Sequence, residues 1–403
     1  MFEIIIYILL ILSLIYGFYF LIMAFGVFRK KKCEIDNNKK NHFAILIAAR
    51  NEETVIKNLI NSLKKQNYPS NKYDVYVIVN NCTDNTLEVA KNAGAKIIEC
   101  KQKVKSKGEV LKYTFNKLKS NDEIDAYVIF DADNVVHREF LNKMNDSINC
   151  GYEVVQGFRD TKNICDNWLS TSYAILYYLQ SLFINKSRFN FGMSSFLNGT
   201  GFMVKKETID RYGYDPKTIT EDIEYTAICA INGIKIAFNE NAITYDEQVT
   251  DFKSSLKQRK RWSFGAIQCL KNYTGSLIKE GIKNKRFECF DVIIFYFGII
   301  FHVLFTIVSL IGIFYNVFYL NDFNSMDVVI YFIMFLINYF IGVIFRMIVI
   351  KKCNKSIKEN IWGILLFDLF VLSWFPINFI CLFIKNCNWD HIKHDRNVDI
   401  LNI

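Results

Sequence analysis

Apolar residues gather in four long blocks, one near the start of the chain and three in its last third. The blocks are Ile4 to Phe28, Val292 to Leu320, Val328 to Ile350 and Ile361 to Ile384. A helix of about 20 apolar residues crosses the hydrocarbon core of a bilayer. The pattern therefore predicts a multi-pass membrane protein with one N-terminal helix and three C-terminal membrane segments.

Between these blocks, residues 41–284 alternate short apolar runs with amphipathic stretches. Six runs have the length of buried strands: 42–49, 75–79, 95–98, 126–130, 154–156 and 202–204. Helical patterns follow the first two runs, over 52–65 and from about residue 84. This alternation predicts an α/β domain with a mixed, mostly parallel sheet, whose ligands should gather at the carboxyl ends of the strands.

Charges beside the apolar blocks predict how the chain sits in the membrane. Arg29 to Lys32 follow the first block, and cytoplasmic loops are enriched in Lys and Arg, so the N-terminus is expected outside and the α/β domain in the cytoplasm, at the plasma membrane. The acidic loop 321–327 and the basic loop 351–360 indicate the same orientation. A cleaved signal peptide is the alternative for the first block, although its charges would precede the apolar run. The last block carries Asp368 and Pro376 and either spans the membrane or re-enters on the same side.

Composition agrees with a chain that is part lipid-embedded and part soluble. Hydrophobic residues make up 51% of the 403 positions and charged residues 22%, and 36 Phe with only 3 Pro exclude a disordered chain. The net charge of +9 does not indicate nucleic-acid binding, because much of it lies in membrane-adjacent segments. Residues 252–287 hold ten Lys or Arg and one acid, which is typical of interfacial helices. The 11 cysteines show no C-x-x-C spacing, so free thiols are expected.

Candidate ligand-binding residues lie at and after the ends of the first two predicted strands. They are Ala49, Asn51 and Glu52 at the first, and Asn80, Asn81 and Asp84 after the second. Helix capping explains each group as readily as ligand binding does.

Further along the chain, charged residues lie at the start of a predicted helix and after the fourth predicted strand. Lys107 opens a predicted helix, where backbone N–H groups and a lysine can meet an anion, and a solvated basic turn is the alternative. Asp131 and Asp133 directly follow the fourth apolar run. Two carboxylates across a turn can converge on a hard cation, although turns favour Asp in any case.

Three more motifs complete the series. They are Asn198-Gly199-Thr200-Gly201, Thr220-Glu221-Asp222 and Gln258-Arg259-Lys260-Arg261-Trp262. Taken singly, they indicate a tight turn, a helix start with acids in its first turn, and a basic amphipathic helix. Their order is more specific: two acids, a third carboxylate about ninety residues later, then Gln-x-x-Arg-Trp between an α/β domain and membrane helices.

On these motifs the chain resembles the membrane-bound family 2 glycosyltransferases, the group that contains cellulose, chitin, hyaluronan and poly-N-acetylglucosamine synthases. The resemblance covers nearly the whole chain and is nearest to the bacterial poly-β-1,6-N-acetylglucosamine synthase type. It implies a GT-A-type nucleotide-sugar-binding domain flanked by transmembrane helices. The implied division is a membrane helix at 4–28, a cytoplasmic transferase domain at 41–250, basic interfacial helices at 251–287, membrane segments at 291–384 and a polar tail at 385–403.

The resemblance also implies roles for the motif residues. Asp222, with Glu221 beside it, would be the general base of an inverting transfer, and Asp133, with Asp131, would hold Mg²⁺ or Mn²⁺. The donor nucleotide would meet Asp131, Lys107, Arg261 and the residues after the first two strands. The acceptor would meet Gly199, Thr200, Gly201, Gln258 and Trp262.

One departure from the family concerns the nucleotide base. The turn after the second strand usually carries an aspartate there, whereas this chain has Asn80 and Asn81, and an amide offers different hydrogen-bonding groups. A UDP-linked sugar, such as UDP-N-acetylglucosamine or UDP-glucose, is still the expected donor.

The activity is open among three alternatives. A growing β-linked polysaccharide, exported through the membrane with help from an accessory subunit or a second copy, is favoured by the Gln-x-x-Arg-Trp motif. Single transfer to a lipid-linked acceptor is the alternative, and a non-catalytic nucleotide-binding scaffold is a third, disfavoured by the intact acids.

Overall fold

The computed structural model describes residues 2–31, 39–104, 106–318, 325–387, 396 and 398. Eight strands form one mixed sheet, in the order β3-β2-β1-β4-β7-β6-β8-β5. Their bounds are β1 Phe43–Ala49, β2 Tyr73–Val79, β3 Lys96–Glu99, β4 Ala126–Asp131, β5 Val135–Val136, β6 Val154–Thr161, β7 Phe202–Lys205 and β8 Ile236–Asp246.

The first half of the sheet is parallel and positions the site. β1 lies between β2 and β4 and pairs in parallel with both, with Ala49 beside Val79 and Ala48 beside Asp131. The chain segments that leave these three strands therefore emerge at one edge of the sheet. β7 then runs antiparallel to β4 and β6, while β6 and β8 are parallel.

Burial on both faces explains the apolar strand runs. In β1, Phe43, Ile45 and Ile47 belong to one hydrophobic cluster, whereas Ala44 and Leu46 belong to the cluster on the opposite face. Side chains alternate between the faces of a strand, so a strand with helices on both sides reads as a continuous apolar run. The predicted mixed α/β sheet is confirmed.

Helices pack on both faces of the sheet and extend beyond it. In the α/β region they are α2 Ile56–Lys64, α3 Thr86–Asn92, α4 Lys107–Leu118, α5 Phe140–Asn149, α6 Trp168–Leu179, α7 Ser187–Asn190, α8 Lys206–Tyr212 and α9 Glu221–Asn232. Gln180–Lys186, between α6 and α7, is a π-helical segment. The remaining helices are α1 Phe2–Ala24, α10 Phe252–Lys283, α11 Phe287–Phe318, α12 Ser325–Lys352, α13 Ile361–Leu372 and α14 Trp374–Cys381.

Within the described part of the chain, four stretches are long and apolar enough to cross a membrane. They are Tyr7–Phe28, Phe287–Gly312, Val328–Lys352 and Ile361–Cys381. They coincide with the four predicted blocks, although the first C-terminal helix begins five residues earlier than expected, at Phe287. Most of loop 321–327 and most of tail 385–403 lie outside the described residues.

The last apolar block consists of two consecutive helices. α13 ends at Leu372 and α14 begins at Trp374, and Ser373 between them keeps a helical φ of −65° and ψ of −8°, so together they form the 21-residue candidate span Ile361–Cys381. α13 packs closely on α6, since a Cβ on Gly363 would lie 2.2 Å from the Cβ of Thr171. The block is therefore held against the α/β region.

Asp368 of α13 has a partner that the apolar pattern did not reveal. Its carboxylate accepts two hydrogen bonds from the guanidinium of Arg346 in α12, at 2.7 and 3.0 Å. The acid in the last apolar block is thus paired with a cation of the neighbouring helix.

A second ion pair joins the α/β region to two other helices. Arg188 of α7 and Asp291 of α11 are both buried, and the guanidinium donates two hydrogen bonds to the carboxylate at 2.8 and 2.9 Å. Tyr19 of α1 donates its hydroxyl hydrogen bond to the same carboxylate. We call these three residues the anchor triad.

Three details differ from the sequence analysis. α2 begins at Ile56 rather than at 52, because Asn51 takes a positive φ of 58° and the chain turns before the helix starts. β8 was missed, because its apolar alternation is interrupted at Asn239–Asn241, where its pairing with β6 changes register after Gly157. Nine described cysteines are free thiols, but Cys150 is disulfide-bonded, which corrects the expectation of free thiols throughout.

We expect Asp291→Asn to destabilise the protein by about 3–5 kcal/mol, because it leaves the guanidinium of Arg188 buried without a counter-charge. The matched control is Glu240→Gln, which removes the exposed partner of Lys186 and is expected to cost about 1 kcal/mol or less. Melting temperatures of the detergent-purified proteins measure both effects. Equal shifts for the two variants would show that the anchor triad does not stabilise the fold.

Candidate active site

A cavity of about 470 Å³ lies at the carboxyl edge of β1, β2 and β4. Most of the predicted site residues line it: Ala49, Glu52, Asn80, Lys107, Asp131, Asp133, Gly199, Glu221, Asp222, Gln258, Arg261 and Trp262. They come from positions as far apart as 49 and 262, so the fold brings the separate motifs together. Asn51, Asn81, Asp84, Thr200 and Gly201 are not among the lining residues.

Lys107 is the cation around which the polar side of the cavity is organised. Its ammonium donates hydrogen bonds to Asp131 Oδ1 at 2.5 Å and to the carbonyl oxygen of Gly199 at 2.6 Å. Glu221 Oε1 lies 3.9 Å away. Burial disfavours the charged ammonium, but Asp131 and Glu221 outweigh that effect, and the pKa of Lys107 is raised.

The two acids of the third motif open α9. Glu221 is buried and Asp222 is half-buried at the cavity wall. Burial raises the pKa of Glu221 to about 7, with Lys107 opposing the rise and Asp222 adding to it. Burial also raises the pKa of Asp222, against the backbone N–H of Ile223 and the charge of Lys107.

Contacts with α10 hold the start of α9 in place. The backbone N–H of Ile219 donates to Gln268 Oε1 at 3.1 Å. A Cβ on Gly265 would lie 2.2 Å from Thr220 Oγ1, so only glycine allows this close approach. Glu224, fully buried in α9, accepts backbone hydrogen bonds from Lys217 and Thr218.

The glycine turn lies between Lys107 and Asp222. Gly199 has a φ of +89°, and a Cβ there would lie 3.3 Å from Asp222 Oδ2, so a side chain would be both strained and crowded. Thr200 is buried behind it and accepts a hydrogen bond from the backbone N–H of Asp131 at 3.0 Å. Gly201 is held by a backbone hydrogen bond to Ile129 at 2.9 Å.

Asp133 offers a carboxylate suited to a hard cation. It is 7% exposed, lines the cavity, and accepts hydrogen bonds from Asn134 Nδ2 at 3.3 Å and from the backbone N–H of Glu247 at 3.2 Å. Across the described ranges, no group of three His, Cys, Asp or Glu side chains forms a ready-made metal site. The donor set therefore fits Mg²⁺ or Mn²⁺ only where a substrate supplies further oxygen ligands.

The Gln-x-x-Arg-Trp motif lies on α10 and faces two ways. Gln258, Arg261 and Trp262 line the cavity, and Arg261 forms no ion pair with any described residue. Trp262 is held edge-on by Tyr173 and Tyr177, with ring centroids 6.0 and 6.2 Å away.

Arg259, between these residues, points away and is fully buried. It donates hydrogen bonds to the carbonyl oxygen of Phe370 at 3.0 Å and to Ser373 Oγ at 2.8 Å, at the end of α13. The motif thus connects the cavity to the point where α13 ends and α14 begins.

Asn51 and Asp84 brace the turns behind the cavity wall. Asn51 Oδ1 accepts a hydrogen bond from the backbone N–H of Thr83 at 2.8 Å, and Asp84 Oδ2 accepts one from the backbone N–H of Glu53 at 3.1 Å. Asn81 is exposed, with a positive φ of 49°. Direct nucleotide contact by these three residues stays a prediction.

The lining residues that the sequence motifs did not predict include two polar ones, Arg159 and Asn198. Arg159 of β6 donates to Asp246 Oδ2 at 2.5 Å and to the carbonyl oxygen of Asn198 at 2.8 Å, and its guanidinium lies over the ring of Tyr177. Burial raises the pKa of Asp246 to about 6, although Arg159 opposes the rise. Arg159 lies near the end of β6 and Asp246 ends β8. Because β8 was not predicted from the sequence, the contact between these two residues could not be predicted either.

The second of these residues is Asn198, which was noted in its motif but not chosen. Its amide is buried at the cavity wall, and neither Oδ1 nor Nδ2 has a hydrogen-bond partner among the described residues. A buried amide without partners costs about 1–3 kcal/mol, which suggests that it serves a ligand. In the sequence, the only signal for this role was that Asn198 directly precedes the glycine turn.

Comparisons with known proteins agree with this geometry. The profile of "Glycosyltransferase like family 2" matches residues 40–265, more than half of the chain. The "Probable glycosyltransferase YdaM" of Bacillus subtilis is 23% identical over 375 residues, which cover 87% of this chain and 83% of that protein. The beta-monoglucosyldiacylglycerol synthase of Synechocystis is 24% identical over 233 residues, 57% of this chain and about half (48%) of that enzyme.

A solved structure shares the fold over nearly the whole length. The mannosyltransferase PcManGT from Pyrobaculum calidifontis, solved in complex with GDP-Man and Mn²⁺, superposes with a TM-score of 0.61 at 12% identity. The match covers 95% of this chain and 99% of that one. The GT-A-like fold expected from the sequence is thereby confirmed, and the chain belongs to glycosyltransferase family 2.

Proposed function

We propose that this protein transfers a sugar from a nucleotide-diphosphate donor to an acceptor hydroxyl, with inversion at the anomeric carbon, on the cytoplasmic side of the plasma membrane. The observation that carries the proposal is the meeting of Asp222, Lys107, Asp133 and Trp262 in one cavity. These are the groups that the reaction needs: a base, charges for a diphosphate and an aromatic surface for a sugar.

Asp222 is the general base of the proposed reaction. Its raised pKa makes it a stronger proton acceptor than an ordinary aspartate, and it lies at the cavity wall. The acceptor oxygen attacks the anomeric carbon, the bond to the diphosphate breaks, and Asp222 receives the hydroxyl proton. A single displacement of this kind inverts the configuration, so an α-linked donor gives a β-linked product.

The leaving diphosphate requires positive charge. Arg261 supports this role because it faces the cavity and has no ion-pair partner among the described residues. Asp133, with the neighbouring Asp131, would hold Mg²⁺ or Mn²⁺, which neutralises the leaving group when bound. Lys107 is engaged by Asp131 and Glu221, so we assign it to holding these carboxylates beside the diphosphate.

Uridine diphosphate is the proposed carrier. The Asn80 amide donates to the carbonyl oxygens of Cys100 at 3.0 Å and Gln102 at 3.3 Å. Its Oδ1 accepts a long hydrogen bond from Asn81 Nδ2 at 3.4 Å and has a second lone pair that can receive a base N–H. An aspartate would offer the same acceptor. The departure at Asn80 therefore preserves recognition of the uracil imide, although the solved relative carries GDP-Man and guanine also offers an N–H.

The acceptor is proposed to lie against Trp262 and Gln258, beside Gly199. The unpartnered amide of Asn198 supports a contact with hydroxyls of the transferred sugar. Polysaccharide synthesis, with an accessory subunit or a second copy, stays a prediction. The named activity of the cyanobacterial relative supports the alternative of a lipid acceptor.

Asp222→Asn is expected to lower the rate of sugar transfer by about 100- to 10,000-fold, because the amide cannot accept the hydroxyl proton. Transfer of radiolabelled sugar by purified protein in lipid vesicles measures the change. Asp210→Asn, which alters an exposed carboxylate of α8, is the matched control and should leave the rate unchanged. A near-wild-type rate for Asp222→Asn would remove Asp222 from the role of base.

The raised pKa of Glu221 predicts how stability depends on pH. The folded state holds this proton up to a pH of about 7, whereas the unfolded chain releases it near the ordinary value of 4.5. Folding stability should therefore fall as the pH rises between these values, and Glu221→Gln should remove that part of the fall. Melting temperatures from pH 5 to 8 test this, with exposed Glu207→Gln as control; parallel curves for wild type and Glu221→Gln would contradict it.

Competition among UDP, GDP and TDP tests the proposed carrier. We expect UDP to displace a labelled donor best, with Asn80→Ala weakening its binding. Asn80→Asp keeps the acceptor oxygen but loses the hydrogen bond to Cys100, so it should weaken all three nucleotides without changing their order. A clear preference for GDP would overturn the assignment to uridine.

A further inference from the structure

The cavity has a second end that differs chemically from the diphosphate end. Apolar side chains of α6, the π-helical segment, α9, α11 and α14 line this part of the cavity, and they pack in two hydrophobic clusters, one with Ile184, Ile223 and Phe295 and one with Leu176, Leu179 and Trp374. We call this set the apolar lobe: Leu176, Leu179, Ile184, Ile223, Phe295 and Trp374. The one side-chain N–H of this set, on Trp374, is already donated to Ser263 Oγ at 3.0 Å.

The apolar lobe is built partly from the membrane helices. Phe295 belongs to the candidate span Phe287–Gly312, and Trp374 belongs to Ile361–Cys381. Phe295 is fixed by stacking on Phe196, with ring centroids 4.5 Å apart. The same cavity therefore continues from the strand ends of the sheet to helices long and apolar enough to lie in a bilayer.

Asp222 lines the cavity next to residues of the apolar lobe. Ile223 follows it directly in the lobe, and Ile219 lines the wall three residues before it. The carbonyl oxygen of Ile223 accepts a hydrogen bond at 2.5 Å from the hydroxyl of Tyr296 in α11. A hydroxyl delivered to Asp222 from the lobe thus arrives through apolar surroundings.

These surroundings distinguish among acceptors. A sugar chain in the lobe would lose water from many hydroxyls, while on this helical stretch only Tyr177 and Gln180 line the cavity with groups that can hydrogen-bond to them, which is unfavourable. A phosphate head group would meet the carboxylates of Glu221 and Asp222. Lys107 and Arg159 are already paired with carboxylates, and Arg261 is assigned to the leaving diphosphate of the donor. An uncharged alcohol on an apolar chain meets neither obstacle.

We propose that the acceptor is an uncharged lipid alcohol, whose hydroxyl meets Asp222 while its apolar chain occupies the lobe. The inference rests on the proposed function and names its acceptor. The alcohol oxygen forms the new bond to the anomeric carbon, its proton passes to Asp222, and the nucleoside diphosphate leaves with the bonding electrons. The product is a glycolipid carrying a β-linked sugar.

The test uses the full-length protein in phosphatidylcholine vesicles with the radiolabelled donor. Four arms contain 1,2-dioleoylglycerol, a long-chain polyprenol, the matching polyprenyl phosphate, or a soluble chito-oligosaccharide. Labelled glycolipid in the dioleoylglycerol or polyprenol arm supports the proposal. Transfer only to the phosphate or to the oligosaccharide overturns it, as does donor hydrolysis without transfer to either alcohol.

Variants of the lobe separate lipid binding from the chemistry. Leu179→Gln places an amide in the lobe and should raise the KM for the lipid alcohol about tenfold or more, with the KM for the donor unchanged. Ile184→Gln, on the neighbouring segment, should act in the same way. The matched control is Leu310→Gln on α11, where the leucine is 57% exposed and outside the cavity.

The outcomes keep the two proposals apart. Equal lipid KM values for Leu179→Gln and Leu310→Gln would show that the lobe does not bind the acceptor. Absence of both nucleotide binding and nucleotide release in every arm would instead contradict the proposed function itself.

Discussion

The site depends on one buried cation, the ammonium of Lys107. It holds the carboxylate of Asp131 at the end of β4, the carbonyl oxygen of Gly199 in the glycine turn and the carboxylate of Glu221 at the start of α9. These groups come from three separate parts of the chain. Without a positive charge among them, two carboxylates and a carbonyl would repel one another in poorly hydrated surroundings.

The start of α9 is shared between the sheet and the helices beyond it. The glycine turn approaches Asp222 on one side, and α10 approaches Thr220 on the other through Gly265. Tyr296 of α11 reaches the carbonyl oxygen of Ile223. The base of the proposed reaction is thereby fixed by elements of both the α/β region and the candidate membrane region, which explains why one cavity has both a polar and an apolar end.

Local patterns in the sequence were sufficient to predict most of the fold and most of the site. Buried strands and membrane helices are apolar runs, and Asp131, Asp133 and Asp222 belong to short motifs at the ends of such elements. Pairings between distant residues have no local signal. Arg159 with Asp246 and Arg346 with Asp368 join segments that meet only through tertiary packing, and β8 was hidden by its change of register.

The anchor triad sets a limit on how this enzyme can be divided. Arg188 lies in the α/β region, whereas Tyr19 and Asp291 lie on helices at either end of it. Cutting the chain before α11 would remove Asp291 and leave the guanidinium of Arg188 without its counter-charge. The candidate membrane helices are thus structural parts of the folded unit, and an unrelated anchor exchanged for them would have to supply a carboxylate at the same place.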